Sequence, residues 1–488
     1  MSGWGFYGRT DELRELSRVI ARRRWFFVRI TGRRRIGKTT LLQRGLQQRL
    51  DAAVFYVQIP DSAPAGVIEA VRDAMDTFEV PADVDRPSSL LEIARLVETL
   101  AQRGYIVVLD EFQYFSRKHL IEFTSHLQAS VDRLSAATDV TGGLVVLGSL
   151  HAELVALLED RDAPLYNRVT DVMELRHLDI RSIQECLRAH DADSPERLLF
   201  LWNLFEGVPK FYRDAWEREV LTAERRDLLR HMYFDSAAPL RTEADNWFLS
   251  ELRGRYDVVL KYVASHPGCT NGDMGSHVRD VSPATAEQAG GYLSILIDKY
   301  AMLERRLPVL AKPNARKGRY YLKDNFLRTW LAALAPQVSA ANFRPLETLL
   351  SISDARLMET EGHGLERLAS TLYAERSRSG VGDFELTRQI EGFWDRNDIE
   401  IDLVAISDTD RRIRFGTCKR NAERLVPNIA SLQEHVKRFL NVHRHYQGYK
   451  QELVAIAPRI DADIRRDLAQ RGVLAQDLID LTRWETPA

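Results

Sequence analysis

The chain has 488 residues, of which 28% are charged and 45% hydrophobic, with a formal net charge of −2. That length exceeds what one hydrophobic core can serve, and the composition is that of a globular multidomain protein rather than a disordered one. The charge excludes binding to nucleic acid by bulk attraction, and three scattered cysteines, Cys186, Cys269 and Cys418, exclude a disulfide framework or a cysteine zinc centre. No apolar run is long enough to span a bilayer and residues 1–10 lack a secretory pattern, so a cytoplasmic protein with no membrane partner is expected.

In chain order, Phe6-Tyr7-Gly8-Arg9-Thr10-Asp11-Glu12-Leu13 leads into a helix that Thr10 can cap, with Asp11 and Glu12 suited to its first turn. Leu13, Leu16, Val19 and Ile20 form its apolar stripe. Trp25 to Ile30 reads as a strand, and a helix follows from Lys38 with Leu42, Leu46 and Leu50 on one side. Between them, Gly32-Arg33-Arg34-Arg35-Ile36-Gly37-Lys38-Thr39 fits the pattern G-x-x-x-x-G-K-[ST]. Glycines let successive N–H groups turn toward phosphate oxygens, and the helix amino end adds unpaired donors and a positive dipole. Gly32, Ile36, Gly37, Lys38, Thr39 and Thr40 are the expected nucleotide contacts. Lys38 would reach the β- and γ-phosphates, and Thr39 would ligate magnesium, which makes ATP and Mg2+ the expected cofactors.

Ala53 to Ile59 reads as a second strand and Ser89 to Arg103 as a helix. Tyr105 to Glu111 is an apolar strand ending in two carboxylates, the pattern of a buried parallel strand. Asp110 would hold magnesium through water and Glu111 would polarise the attacking water. Gly143 to Gly148 is a further strand, and Ser149 at its end either touches the γ-phosphate or caps a helix from His151 to Leu158. Asp171 to Leu175 is a fifth strand; before it, Arg168 either senses the γ-phosphate, in cis or from a neighbouring subunit, or is a solvated loop arginine.

These motifs in this order resemble the archaeal-type ATPase family, within the STAND and AAA-like branch of P-loop NTPases. The amino-terminal Phe-x-Gly-Arg-x-x-Glu-Leu pattern is met by Phe6, Gly8, Arg9, Glu12 and Leu13, and Gly207-Val208-Pro209 matches a Gly-x-Pro motif. The resemblance implies an α/β fold with an ASCE-type parallel-sheet core and a small helical lid. It adds Arg9 and Pro209 to the nucleotide contacts, Pro209 against the base.

Arg181 to Met232 is helical in pattern and is assigned to the lid. From Tyr256 the pattern is that of a winged helix: a helix to Ser265, a turn at His266-Pro267-Gly268, a second helix capped by Thr270, and a third from Ser282-Pro283 to Asp298. Ala301 to Leu310 and Gly318 to Leu322 would form the wing. The third helix has no Lys or Arg between Pro283 and Asp298, so sequence reading in a major groove is not its expected task. The wing carries Arg305, Arg306, Lys312, Arg316, Lys317 and Arg319 and is the better phosphate contact; its alternative role is domain packing or a protein partner.

After a helix at Phe326 to Leu334, the segment to Pro345 reads as a connector. In the last domain Gly362-His363-Gly364-Leu365-Glu366 opens a helix, Ile399 to Ile406 and Arg412 to Lys419 are strands, and Val426 to Leu440 and Ala462 to Gln470 are helices. Glu366, Asp402 and Lys419 in this order resemble the restriction-endonuclease-like PD-(D/E)xK core. That resemblance implies acids holding magnesium and a lysine steadying the attacking water or phosphate charge. Thr417 stands where a carboxylate is expected, and Glu400, two residues from Asp402 on one strand face, is the best substitute. The expected domains are residues 1–178 (ATPase core), 179–245 (lid), 246–335 (winged helix) and 346–488 (nuclease-like). The expected function is an ATP-hydrolysing switch, able to oligomerise, whose output domains act on or near DNA. The alternatives are an ATP-controlled nuclease in defence or mobile-element control, and a non-catalytic regulator that binds a protein partner.

Overall fold

Six of the seven residues of Phe26–Gly32 (β1) are buried, as a parallel strand requires when helices cover both faces of its sheet. The computed structural model describes residues 3–47, 53–149, 151–244, 256–281, 289–395 and 399–484. In it, β1 joins Val54–Gln58 (β2), Ile106–Asp110 (β3), Gly143–Gly148 (β4) and Asp171–Leu175 (β5) in a parallel sheet ordered β2-β3-β4-β1-β5. The helices of this unit are Thr10–Ala21 (α1), Lys38–Leu46 (α2), Pro64–Thr77 (α3), Leu90–Gln102 (α4), Glu122–Ala136 (α5) and His151–Leu158 (α6). Two of them start on local chemistry: Pro64 occupies the first turn of α3, where its missing N–H costs nothing, and the Ser89 hydroxyl accepts the Glu92 N–H of α4. Phe27, Val107, Leu109, Leu144 and Val146 of the sheet pack with Val97, Leu100 and Leu127 of α4 and α5 in one apolar core. Residues 8–177 form this compact unit. Because β4 is inserted between β1 and β3, three strands end side by side where open α/β sheets take ligands.

The second unit comprises residues 1–7 and 178–488. It begins with helices Ile180–Ala189 (α7), Pro195–Phe205 (α8), Pro209–Glu217 (α9) and Arg225–Leu229 (α10). Then come Asp257–Ser265 (α11), Asn271–Val281 (α12), Ala289–Ser294 (α13), and the antiparallel pair Leu303–Arg306 (β6) and Arg319–Leu322 (β7). The expected start of the third winged-helix helix, residues 282–288, lies outside the described residues; α13 falls inside its expected span. Asn325–Thr329 (α14) and Ala335–Ser339 (α15) lead to the 33-residue helix Leu346–Arg378 (α16). Last comes a mixed sheet ordered β12-β11-β10-β9-β8, built from Glu391–Trp394 (β8), Glu400–Ser407 (β9), Arg412–Cys418 (β10), Lys450–Ala457 (β11) and Val473–Asp477 (β12). Helices Leu425–Val442 (α17), Ala462–Gln470 (α18) and Leu478–Leu481 (α19) accompany it.

Two expectations are corrected here. The stretch before Pro345 contains the short α15 rather than a plain connector, and Gly362-His363-Gly364 does not open a helix but lies midway along α16. Ion pairs hold α16 on the amino-terminal side of the glycines: Asp354 and Glu361 each take Arg225 at 2.6 Å, and Glu361 also takes Arg420 at 2.6 Å. Arg328, 1% exposed, donates to the Asn203 side-chain oxygen at 2.6 Å and to the Thr360 carbonyl at 3.2 Å. Its burial pushes the guanidinium down to about 9. Gly364 is the close approach that lets α16 reach this network, because a Cβ there would lie 2.5 Å from the Asn203 side-chain oxygen. Asn203 cannot swing aside, being fully buried and bonded to Thr360 and Arg328. A Cβ on Gly362, by contrast, would meet nothing within 4 Å. Urea denaturation should therefore separate the two positions: Gly364→Ala loses about 1–3 kcal/mol, whereas Gly362→Ala gains about 0.5–1 kcal/mol as a helix-interior glycine replaced.

Candidate functional site

At the end of β1 the backbone must be glycine: Gly32 has φ 152°, and a Cβ there would meet the Leu175 carbonyl oxygen at 2.6 Å. The loop closes at Gly37, with φ 97°, and α2 starts at Lys38. The Lys38 ammonium, 7% exposed, is held by the Gly32 carbonyl at 2.9 Å, the Arg33 carbonyl at 3.2 Å and the Ser149 hydroxyl at 3.1 Å. Burial pushes its pKa down to about 8, against the opposing charges of Glu111 and Asp110. Ser149 at the end of β4 is thus joined to the phosphate loop of β1. Thr40 is exposed in the first turn of α2, and Ile36 is buried beneath the loop.

Asp110, 7% exposed at the end of β3, gathers the other side of the site. Its Oδ2 accepts the Thr39 hydroxyl at 3.2 Å and the Tyr56 hydroxyl at 2.9 Å, and its Oδ1 accepts the Glu111 N–H at 2.8 Å. Burial, then the Asp110 charge, raises the Tyr56 pKa. Glu111 follows in a left-handed turn, φ 55°, and takes a hydrogen bond from the Gln113 side-chain amide. Thr39 and Asp110 offer hard oxygen donors together, the donor type magnesium takes.

Arg9 lies under the loop: it donates to the Ile36 carbonyl at 3.4 Å and to the Arg176 carbonyl, and pairs with Glu12 at 2.9 Å. Of these partners, the Ile36 carbonyl belongs to the loop backbone. The structure does not bring Arg168 to Lys38; it forks onto Asp132 at 2.7 and 3.0 Å and donates to the Tyr166 carbonyl. Pro209 sits at the first turn of α9, where its ring suits the helix start. The sequence reading missed Tyr56 and Gln113. Tyr56 pairs with Val108, two residues before Asp110, so strand register brings its hydroxyl to the acid; a tyrosine near the end of an adjacent strand was the available signal.

The carboxy-terminal residues form a separate recess of about 850 Å³, whose lining includes Arg306, Arg319, His363, Glu366, Glu400 and Asp402. Asp402 Oδ2 accepts the Thr417 hydroxyl at 3.1 Å, the Cys418 N–H at 2.8 Å and the Lys419 ammonium at 3.2 Å. Thr417 also accepts from the Asn428 amide at 2.8 Å, so its hydroxyl serves to fix Asp402. Burial pushes Glu366 up to about 7, opposed by Lys419 and reinforced by Glu400; burial and then the Glu366 charge raise Asp402. Glu400 is paired with Arg319 of β7 at 2.5 Å, and Arg319 lies 4.8 Å from the Trp394 ring centre. The β6–β7 pair is tied in by the Trp394 indole N–H to the Lys317 carbonyl at 2.9 Å and by Val309 N–H to the Gly392 carbonyl at 2.9 Å. Val309 belongs to the apolar core of the mixed sheet, so this ribbon is a fixed wall of the recess.

Residues 6–210 match the family model described as an ATPase domain predominantly from Archaea. This segment carries an archaeal-type ATPase domain. An uncharacterised protein of Methanocaldococcus jannaschii is 24% identical over 422 residues, covering 84% of this chain and 86% of that protein. Among solved structures, a Walker-type ATPase of Pyrococcus abyssi is similar with a TM-score of 0.49 and 18% identity, over 67% of this chain and 96% of its own. The ORC2 protein of Aeropyrum pernix, solved in ADPNP–ADP complexes, gives 0.47 and 16% over 72% and 94%. Lys38, Thr39, Asp110, Glu111 and Ser149 lie inside the ATPase domain, and the carboxy-terminal recess lies outside it. No helix among the described residues is long and apolar enough to cross a membrane.

The recess has a pH signature. A carboxyl raised from 4.5 to about 7 binds its proton more tightly in the folded chain, so its contribution to stability is complete below pH 4.5 and is lost as pH rises through about 7. Glu366→Gln removes that loss. Its melting temperature should exceed the wild-type value at pH 8 by about 1–2 °C, a modest gain because solvent screens a side chain that is 35% exposed. The gap should close as the pH falls toward 5 in a pH series of thermal melts.

Proposed function

We propose that this chain is an ATP-hydrolysing switch whose nucleotide state controls winged-helix and nuclease-like output domains acting on or near DNA. The observation that supports it most is the convergence of Lys38 and Thr39, Ser149, and Asp110 and Glu111 at the ends of three neighbouring strands, β1, β4 and β3. Triphosphate oxygens would replace the loop carbonyls as partners of the Lys38 ammonium, and the α2 amino end would face them. Thr39 and Asp110 would hold magnesium, and Ser149 would accompany Lys38 at the γ-phosphate. A cation bound there offsets negative charge on the phosphates. Glu111 orients and deprotonates the attacking water. Arg9 braces the loop from below, and Pro209 is the proposed contact to the base. Arg168 keeps its ion pair with Asp132 and receives no role.

The proposed output follows the assigned division at residues 179–245 (lid), 246–335 (winged helix) and 346–488 (PD-(D/E)xK-like). ATP binding would favour one arrangement of these domains and hydrolysis another. The recess is read as a phosphodiester-binding site that cuts weakly or not at all. Glu366, Asp402 and Lys419 support nucleic-acid chemistry, while Thr417 gives no carboxylate and its hydroxyl is engaged with Asp402 and Asn428. Glu400, the best replacement acid, is paired with Arg319. In a plasmid-nicking assay with magnesium or manganese, robust wild-type cutting that Asp402→Ala and Lys419→Ala abolish would instead establish the nuclease alternative.

For the nucleotide site, Lys38→Ala should abolish ATP binding by calorimetry. Glu111→Gln should keep binding but lose phosphate release by about 10²–10⁴-fold, the contribution of a positioned base. Equal loss of binding in both variants contradicts the role given to Glu111.

A further inference from the structure

Glu111 ends β3 in a left-handed turn, and the chain then closes a short helical turn, Phe112–Ser116, that brings Gln113 back beneath it. Phe112 and Phe115 are fully buried and pack edge to face at 5.2 Å, which fixes this turn to the core. Gln113 is itself 2% exposed. Its side chain reaches Glu111 Oε2 at 2.5 Å. An ionised carboxylate only accepts hydrogen bonds, so the carboxamide nitrogen must be the atom that faces it. That orientation turns the carboxamide oxygen toward β4, where it is buried and meets no donor among the described residues.

A glutamine kept for packing alone is expected to have both ends of its amide satisfied. Here one end is committed to the carboxylate and the other is left without a donor, which is the pattern of a side chain held for what it does to Glu111. The neighbouring strand makes room for it. A Cβ at Gly148 would lie 2.6 Å from the Gln113 oxygen, although Gly148 is in ordinary strand backbone and needs no glycine for its conformation. The other atoms near that Cβ belong to the Leu154 side chain, at 3.1 and 3.2 Å, farther off than the Gln113 oxygen. The next residue, Ser149, accepts the Lys38 ammonium. Gln113 therefore lies between the acid that ends β3 and the strand end that touches the phosphate-loop lysine.

We infer that Gln113 is a positioning residue that fixes the Glu111 carboxylate for water activation, and that Gly148 is glycine to leave its carboxamide space. The inference rests on the proposed role of Glu111. A hydrogen bond to one carboxylate oxygen stops the group from rotating and presents the other oxygen to the water. Gly148 acts only through Gln113.

The test is a double-mutant cycle on full-length protein, with steady-state ATP hydrolysis, nucleotide affinity and thermal melts measured for Gln113→Leu, Gly148→Ala, the pair together and Glu111→Gln. Gln113→Leu keeps the buried volume and removes the donor. It should lower kcat about 10- to 100-fold, with ATP affinity within about twofold of wild type and an unchanged melting temperature. Gly148→Ala should lower kcat in the same way by displacing the carboxamide. The double variant should be no slower than Gln113→Leu alone, because the second change has nothing left to displace. An unchanged kcat in Gln113→Leu, with Glu111→Gln inactive, overturns the inference and leaves the nucleotide site standing. Multiplying effects in the double variant overturn the action of Gly148 through Gln113. Full hydrolysis by Glu111→Gln removes the role of Glu111 and the inference with it. If Gln113→Leu does not fold, Gly148→Ala decides alone: loss of kcat with intact affinity supports the inference, and unaltered kcat refutes it.

Discussion

The unit of residues 8–177 depends on one buried carboxylate. Asp110 is tolerated at 7% exposure because Thr39, Tyr56 and the Glu111 N–H all donate to it. Those bonds join the end of β3 to the first turn of α2 and to the edge strand β2. With β4 lying between β1 and β3, the contact from Thr39 to Asp110 spans a whole strand, and the Lys38 bond to Ser149 ties in that intervening strand. Parallel strands alone fix which ends are neighbours; the side-chain bonds fix how far apart the loop and the acids lie. Burial lowers the Lys38 pKa while Glu111 and Asp110 oppose that shift, so the two acids help keep the buried amine charged.

The second unit uses buried arginine in a comparable way. Arg414 is fully buried on β10 and donates to Glu452 at 2.8 Å, Asp383 at 2.7 Å and Tyr373 at 3.1 Å. Through Tyr373 it ties the sheet to α16, the helix that also carries Glu366 to the recess. Burying such pairs brings little net stability, but breaking one leaves a charge without a partner. The outcome is a frame that holds α16, the mixed sheet and the β6–β7 ribbon in fixed relation, so that residues distant in sequence line one recess.

Much of the first unit was legible because its signals are local. β4 and β5 have the bounds read from the sequence, β4 from its apolar run, and the phosphate loop sits between the strand and helix its pattern requires. The α16 reading failed at Gly362-His363-Gly364, where glycine's low helix propensity argues for a break. Packing overrode it: Gly364 is needed for the approach to Asn203, and the ion pairs of Asp354 and Glu361 carry the helix past both glycines. β11 begins with Lys450, Gln451 and Glu452, a polar start that hid the strand, and Glu452 is used there to satisfy Arg414. The parts played by Tyr56 and the recess wall depend on contacts that periodicity does not encode. Tyr56 needs the β2–β3 register, and Arg319 meets Glu400 across 81 residues of sequence.

The central claim is that Asp110 and Thr39 together make the phosphate loop a magnesium-dependent ATP site. Calorimetric titration of ATP into the wild-type chain and into Asp110→Asn, each with magnesium and with EDTA, measures that coupling directly. Wild-type affinity should rise by about tenfold or more with magnesium, and the variant should lose that gain while still binding the metal-free nucleotide. The same magnesium-dependent gain in both proteins would contradict the account.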